Sequence, residues 1–285
     1  MAADGDDGAS KWSSAFAAAS AAGMQAYEDA LVGAVFMPWG EYLLDALGVT
    51  PGERFLDLAT GPGTVARLAS YRLGPTGYVL ATDLSDAMLA IAESKGKVPG
   101  GSRIEYRRST AVPLDAPGGA FDAACCQHGL QFFPDRHGAV EEMRRALRSG
   151  GRLGLAVWAG IELCPPFAAV RDAINEVMGL EAAERYANGP WGLHAPAVLA
   201  EMVISAEFTD ISVEEVQRPV RFEAGHNQLD RSLAASGLAA EIASLPGNER
   251  TALSCAIAEN LRDLTDTSGA VASYLTSQIL LATAC

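Results

Sequence analysis

At roughly 150 residues per domain, a chain of 285 residues holds one large α/β domain with an embellishment or two small domains, and a fibre or a disulfide-held mini-protein is excluded. Its 49% hydrophobic and 20% charged content is globular and excludes disorder over most of the length. Lys and Arg total 21 against 35 Asp and Glu, a net charge of −14 with a pI near 4.7, so attraction to nucleic acid is not expected.

The first ten residues, MAADGDDGAS, read as a disordered tail without the positive charge of a signal peptide. Two or three helices are expected over residues 11–50, because Phe16, Tyr27, Leu31, Phe36, Leu43, Leu44 and Leu47 recur at helical spacing and Gly33 and Pro38 interrupt them. The Ala-rich run from Trp12 to Tyr27 is too weakly apolar to span a bilayer. After the Pro51-Gly52 turn, short apolar strands alternate with helices. Strands are predicted at 54–58, 78–82, 104–107, 121–126 and 152–158, and helices at 64–71, 85–94 and 139–147. Beyond Trp158, helices are expected at 165–178 and 195–206, then a strand at 211–222 whose Pro219 marks a sheet edge or bulge. A helical cap insertion at about 229–264 precedes a last strand at 272–285. The sum is a doubly wound, mostly parallel seven-stranded sheet of Rossmann-like form with N-terminal helices and a cap. Residues 51–160 are its ligand-binding core, and 161–285 supply the rest of the sheet.

Two strand ends carry the chemistry. In FLDLATGPGTVARLA a strand delivers Asp57 to a glycine turn that opens a helix, and in VLATDLSDAML the next strand ends at Asp83. Glycines at such a turn let backbone approach a ligand closely, ligands bind outside the carboxyl ends of the strands, and an acid there accepts hydrogen bonds from a ribose diol. Residues 61–66 also satisfy G-x-G-x-x-A, the dinucleotide fingerprint. Asp57, four residues before Gly61, would repel a pyrophosphate and suits a ligand with a positive amino-acid end, such as S-adenosylmethionine.

On these residues the chain resembles class I S-adenosylmethionine-dependent methyltransferases, the small-molecule kind typified by ubiquinone and sterol methyltransferases. The resemblance covers about residues 24–160. The family's acid-x-G-x-G-x-G motif reads Asp57-Leu58-Ala59-Thr60-Gly61-Pro62-Gly63, with Ala59 in place of the first glycine. The long segment from Phe121 to Trp158 matches the family's fourth strand, helix, paired-glycine turn and fifth strand. The resemblance implies that Asp57, Ala59, Thr60, Gly61 and Gly63 hold the methionine end, that Asp83 holds the ribose, and that Leu84 and Met88 flank adenine. Ser109, Thr110 and Ala111 stand where the family usually has an acid followed by alanine, so a hydroxyl is expected to receive the adenine amino group. Gln127 joins the cofactor-binding set. Tyr27, Phe36, Trp39 and His128 are expected in the substrate pocket, although core packing is the competing reading for the aromatic residues.

His128, just past the fourth strand, is the candidate general base if its pKa stays near the usual value of about 6.5; a histidine satisfied by local hydrogen bonds is the alternative. The five cysteines show no metal or disulfide spacing and suit a reducing cytoplasm. The expected function is methyl transfer from S-adenosylmethionine to oxygen, nitrogen or carbon of a small, apolar metabolite. The rivals are a non-methylating reaction such as cyclisation on the same fold, and a nicotinamide-dependent oxidoreductase. No membrane or metal is expected, and a homodimer stays open.

Overall fold

The computed structural model describes residues 21–285; the tail at 1–10 and the helix start expected after it lie outside the described residues. One sheet runs in the order β3-β2-β1-β4-β5-β7-β6, with β1 at Arg54–Leu58, β2 at Tyr78–Asp83, β3 at Arg103–Arg108, β4 at Phe121–Gln127, β5 at Leu147–Trp158, β6 at Phe208–Phe222 and β7 at Val271–Ala284. The first five strands pair parallel, and β7 is antiparallel to both β5 and β6.

The central strands are apolar because both of their faces are covered. Phe55, Ala123 and Ala156 face one buried layer, against Trp39, Leu43 and Leu44; Leu56, Ala124 and Leu155 face the other, against Leu130, Val140 and Met143. The outer strand β6 alternates exposed and part-buried residues. It carries Pro219, which has no N–H for a second ladder, and a register shift between Thr209 and Ser212.

Three regions differ from expectation. Residues Ala21–Leu47 form one unbroken helix rather than two or three. Its middle, Glu28–Phe36, is wound as π-helix, with the Met37 N–H donating to the Val32 carbonyl, and Pro38 enters the first regular turn after it, where a missing N–H is tolerated. This helix is long and apolar enough to cross a membrane, but half of that stretch is buried, with Leu43, Leu44 and Trp39 packed in the core. A helix at Leu180–Asn188 was not expected.

The insertion between β6 and β7 begins directly after Phe222 and runs to Val271, wider than 229–264. Its main helix, Gly247–Asn260, packs on Pro165–Met178. The two chain ends meet at a narrow neck. Gly225 adopts φ +58°, and a Cβ there would stand 2.3 Å from the Gly269 carbonyl oxygen. Arg221 donates to Asp266 (2.6 Å) and Ser268 (3.0 Å) across the same neck.

Candidate active site

The turn after β1 is organised by a buried anion. The Asp57 carboxylate accepts from Thr60 Oγ1 at 2.6 Å, from the Cys125 thiol at 3.3 Å and from the Ala66 N–H at the start of the Thr64–Leu73 helix. Burial pushes its pKa up to about 6 against the pull of those donors. Asp57 is 1% exposed and does not line the cavity, contrary to the contact expected of it. It is a protein anion seated at the helix N-terminus, the place where a dinucleotide phosphate would otherwise bind. Thr60 and Gly63 likewise stand outside the cavity lining. Thr60 is spent on Asp57 and on a 2.9 Å bond from its N–H to the Thr82 carbonyl. Gly63, at φ +80°, leaves room for the Tyr106 hydroxyl, which a Cβ would meet at 2.8 Å.

The cavity itself, of about 290 Å³, opens beyond the ends of β1, β2 and β4. Ala59, Gly61, Asp83, Leu84, Met88, Ser109, Thr110, Ala111 and Gln127 line it. Asp83 is fixed by backbone donors, Gly61 N–H on Oδ2 at 2.8 Å and Ser85 N–H on Oδ1 at 2.9 Å, with the Leu84 N–H beside them. Burial raises its pKa while those donors oppose the rise. The carboxylate keeps acceptor capacity for a ligand. A Cβ on Gly61 would meet nothing within 4 Å, so the turn presents bare backbone to open space. The Ser109 and Thr110 hydroxyls donate to the Thr110 and Pro113 carbonyls, both at 2.7 Å, and so offer only acceptor capacity to a ligand. Gln127 Nε2 donates to the Phe36 carbonyl at 2.8 Å and ties the N-terminal helix over the site.

Asp83 and Asp135 are the charged side chains of this cavity, and no Lys or Arg lines it among the described residues. Such a wall favours a cationic ligand over an anionic one. With Asp83 free to accept and bare backbone at Gly61, the residues fit a nucleoside carrying a positive amino-acid end.

A smaller chamber of about 80 Å³ adjoins it, and Tyr27, His128 and Phe132 line both. Phe36 belongs to the smaller chamber, stacked on Tyr27 with ring centres 5.0 Å apart. Trp39 does not reach either chamber; it packs behind, edge-on to His128 at 6.0 Å and to Trp158 at 6.0 Å. Burial and the nearby Asp83 charge hold the Tyr27 phenol well above its ordinary pKa.

His128 adopts φ +51°. Its ring lies on Trp158 at 3.8 Å, and Nε2 stands 2.8 Å from Ser277 Oγ. Burial drives its pKa down to about 3, so the imidazole is neutral at pH 7 and the expected ordinary titration is lost. Sequence reasoning missed Gln131, Phe132 and Phe133, although the QHGLQFFPD segment held them, and missed Tyr186 and Trp191 altogether. Among the described residues no group of His, Cys, Asp and Glu is arranged to hold a metal ion.

Residues 27–178 match the sequence model of the ubiE/COQ5 methyltransferase family. The chain is similar to the ubiquinone/menaquinone biosynthesis C-methyltransferase UbiE of Hahella chejuensis, 34% identical over 116 residues, covering 40% of this chain and 47% of that one. The enzyme of the same name from Ectopseudomonas mendocina is 32% identical over 126 residues, covering 44% and 49%. The chain thus spans about half the length of the curated relatives it matches. The fold is shared with the YcgJ protein of Bacillus subtilis, at TM-score 0.56, 15% identity and coverage of 86% and 97%. It is shared too with a Haemonchus contortus phosphoethanolamine N-methyltransferase solved with S-adenosyl-L-methionine, at TM-score 0.58, 18% identity and coverage of 93% and 57%.

Proposed function

The chain belongs to the ubiE/COQ5 methyltransferase family, and from that membership we propose that it transfers a methyl group from S-adenosylmethionine to a small metabolite. The observation that carries the reading is the junction of two chambers at Tyr27, His128 and Phe132, one walled by carboxylates and one by aromatic rings. Bound in the larger chamber, the cofactor supplies a methyl group on a positively charged sulfur. Asp83 accepts the ribose hydroxyls, Leu84 and Met88 flank the adenine, Ser109 or Thr110 accepts its amino group, and the backbone at Ala59 and Gly61 meets the methionine end. The smaller chamber takes the acceptor, and Ser232, Ala235 and Ser236 bring the cap insertion to its wall. Tyr27, His128 and Phe132 exclude water from the junction and hold the acceptor against it, and positioning of this kind supplies much of a displacement's acceleration. His128, made a weak base by its burial, orients the acceptor rather than taking its proton. The five free cysteines suit a reducing cytoplasm.

A nicotinamide reading fits less well. The dinucleotide-binding sheet is parallel in the order 3-2-1-4-5-6, whereas here the antiparallel β7 separates β5 from β6. Calorimetry with S-adenosylhomocysteine tests the proposal. The parent protein binds, and Asp83→Ala loses roughly tenfold to a few hundredfold in affinity, as expected for charge-assisted hydrogen bonds. Tight binding of NAD with no response to S-adenosylmethionine or its product would sink the proposal.

A further inference from the structure

The smaller chamber has a polarity of its own that methyl transfer as such does not require. Its walls are aromatic and aliphatic, with Phe36, Trp158, Phe167, Tyr186 and Trp191 prominent, and no Asp, Glu, Lys or Arg lines it among the described residues. Phe167 and Trp191 lie 5.2 Å apart, Tyr186 and Trp191 5.5 Å, a nest of rings that suits a flat partner. One amide residue, Gln131, is among those that line it. Gln131 is 1% exposed, and both Oε1 and Nε2 lack a hydrogen-bond partner. His128, 5% exposed, likewise leaves Nδ1 without one.

A buried amide with neither half satisfied is costly unless a ligand completes it. Its donor and acceptor lie side by side in one plane, so the group that satisfies both presents an acceptor and a donor side by side as well. A carboxylate has no donor for Oε1 and an ammonium no acceptor for Nε2, so neither ion completes this amide. Burial keeps His128 neutral, so it adds no charge to the chamber.

We infer that the smaller chamber takes a neutral, flat ring carrying an N–H and a C=O on adjacent atoms, as in a cyclic amide, and that the Gln131 side chain reads that edge. The assignment of this chamber to the acceptor rests on the methyl-transfer reading; the selectivity for the ring edge does not. Tyr186, Pro190 and Trp191 line the same chamber, whose volume of about 80 Å³ suits a small ring rather than a long apolar tail.

The test uses three probes of similar shape: 2-quinolone, which has the full edge, N-methyl-2-quinolone, which lacks the donor, and naphthalene, which lacks both. Each is titrated by quenching of tryptophan fluorescence into the full-length protein, with and without S-adenosylhomocysteine. The expected order is 2-quinolone tightest, by roughly tenfold or more over naphthalene, with the N-methyl compound between them. Gln131→Leu abolishes the order while leaving affinity for S-adenosylhomocysteine unchanged, since Gln131 does not line the larger cavity. Gln131→Asn, which keeps the amide on a shorter arm, restores part of it. Equal affinities in the parent, binding of none of the three rings, or a preference that survives Gln131→Leu would overturn the inference. Ring selectivity without any binding of S-adenosylhomocysteine would instead defeat the methyl-transfer reading and leave the chamber's preference standing.

Discussion

Ala59 and Gly129 share the space of a single methyl group at the edge of the site: a Cβ on Gly129 would stand 2.7 Å from the Ala59 Cβ. Ala59 holds φ at +58°, where glycine is ordinarily found. Gly129→Ala is therefore expected to cost about 1–3 kcal/mol from overpacking. Ala59→Gly gains up to about 1 kcal/mol, the relief of left-handed strain less the added freedom of the unfolded chain. The double variant recovers part of the Gly129→Ala loss, with the Cys126 Sγ contact at 3.0 Å remaining. Urea unfolding of the four proteins measures the coupling, and strictly additive effects would contradict the shared space.

Asp57 gives a pH signature. Its folded pKa of about 6 lies above the ordinary 3.8, so the folded state holds this proton more tightly. The associated stability is complete below about pH 3.8 and is lost as pH rises through 6, an effect of about 3 kcal/mol at most. Asp57→Asn does not titrate, so the parent's stability relative to the variant is expected to decline between pH 4 and pH 7.5. A constant difference across that range in chemical denaturation would place the carboxylate in a less buried setting.

For His128 the sign is reversed. A pKa near 3 in the fold means that the stability conferred by the neutral ring is present above the unfolded value of 6.5 and lost as pH falls toward 3. His128→Asn, chosen because Asn tolerates positive φ, removes that acid sensitivity. Single-turnover methyl transfer by the parent is expected to show no inflection near pH 6.5, and the variant to lose less than the roughly 10²-fold typical of a missing general base. An inflection at that pH which disappears in the variant would restore proton transfer to His128.

Lys95 joins two parts of the site. Its Nζ lies 2.6 Å from Glu28 Oε1 on the N-terminal helix and 2.9 Å from the Pro62 carbonyl in the glycine turn. Lys95→Met keeps the aliphatic stem and breaks both contacts. Because the pair is partly exposed, the expected loss is modest, about two- to fivefold in affinity for S-adenosylhomocysteine, appearing as faster dissociation and diminishing in high salt. Stopped-flow dissociation unchanged in low salt would mean that the helix is held by other contacts.

The sheet was legible because its strands are short apolar runs bounded by turns, and the positions of Asp83 at a strand end and Gly61 in the turn after β1 follow from the same pattern. What escaped depends on distant partners. Asp57 has the spacing of a ligand contact, yet its role is decided by Cys125 on a neighbouring strand and by the helix N–H at Ala66. The Leu180–Asn188 helix has only about two and a half turns between Gly179 and Gly189, too short for its periodicity to declare itself, and Tyr186 gains meaning only from Trp191 and Phe167. Pro38 reads as a helix break unless the π-wound stretch before it is known. Burial is what lowers the His128 pKa, and Trp158, Phe36 and Trp39, drawn from separate elements, pack around its ring.

Phe222 and Val271 are register partners, so the whole cap leaves the sheet and returns to it at a single rung. In topological terms the cap is the loop of one antiparallel hairpin, however many helices it contains. It can therefore be lengthened, shortened or exchanged at the Gly225–Gly269 neck without rethreading any strand or disturbing the parallel half that carries Asp57 and Asp83. The part of the smaller chamber's wall that the cap supplies, at Ser232, Ala235 and Ser236, can thereby change without altering any residue that lines the larger one.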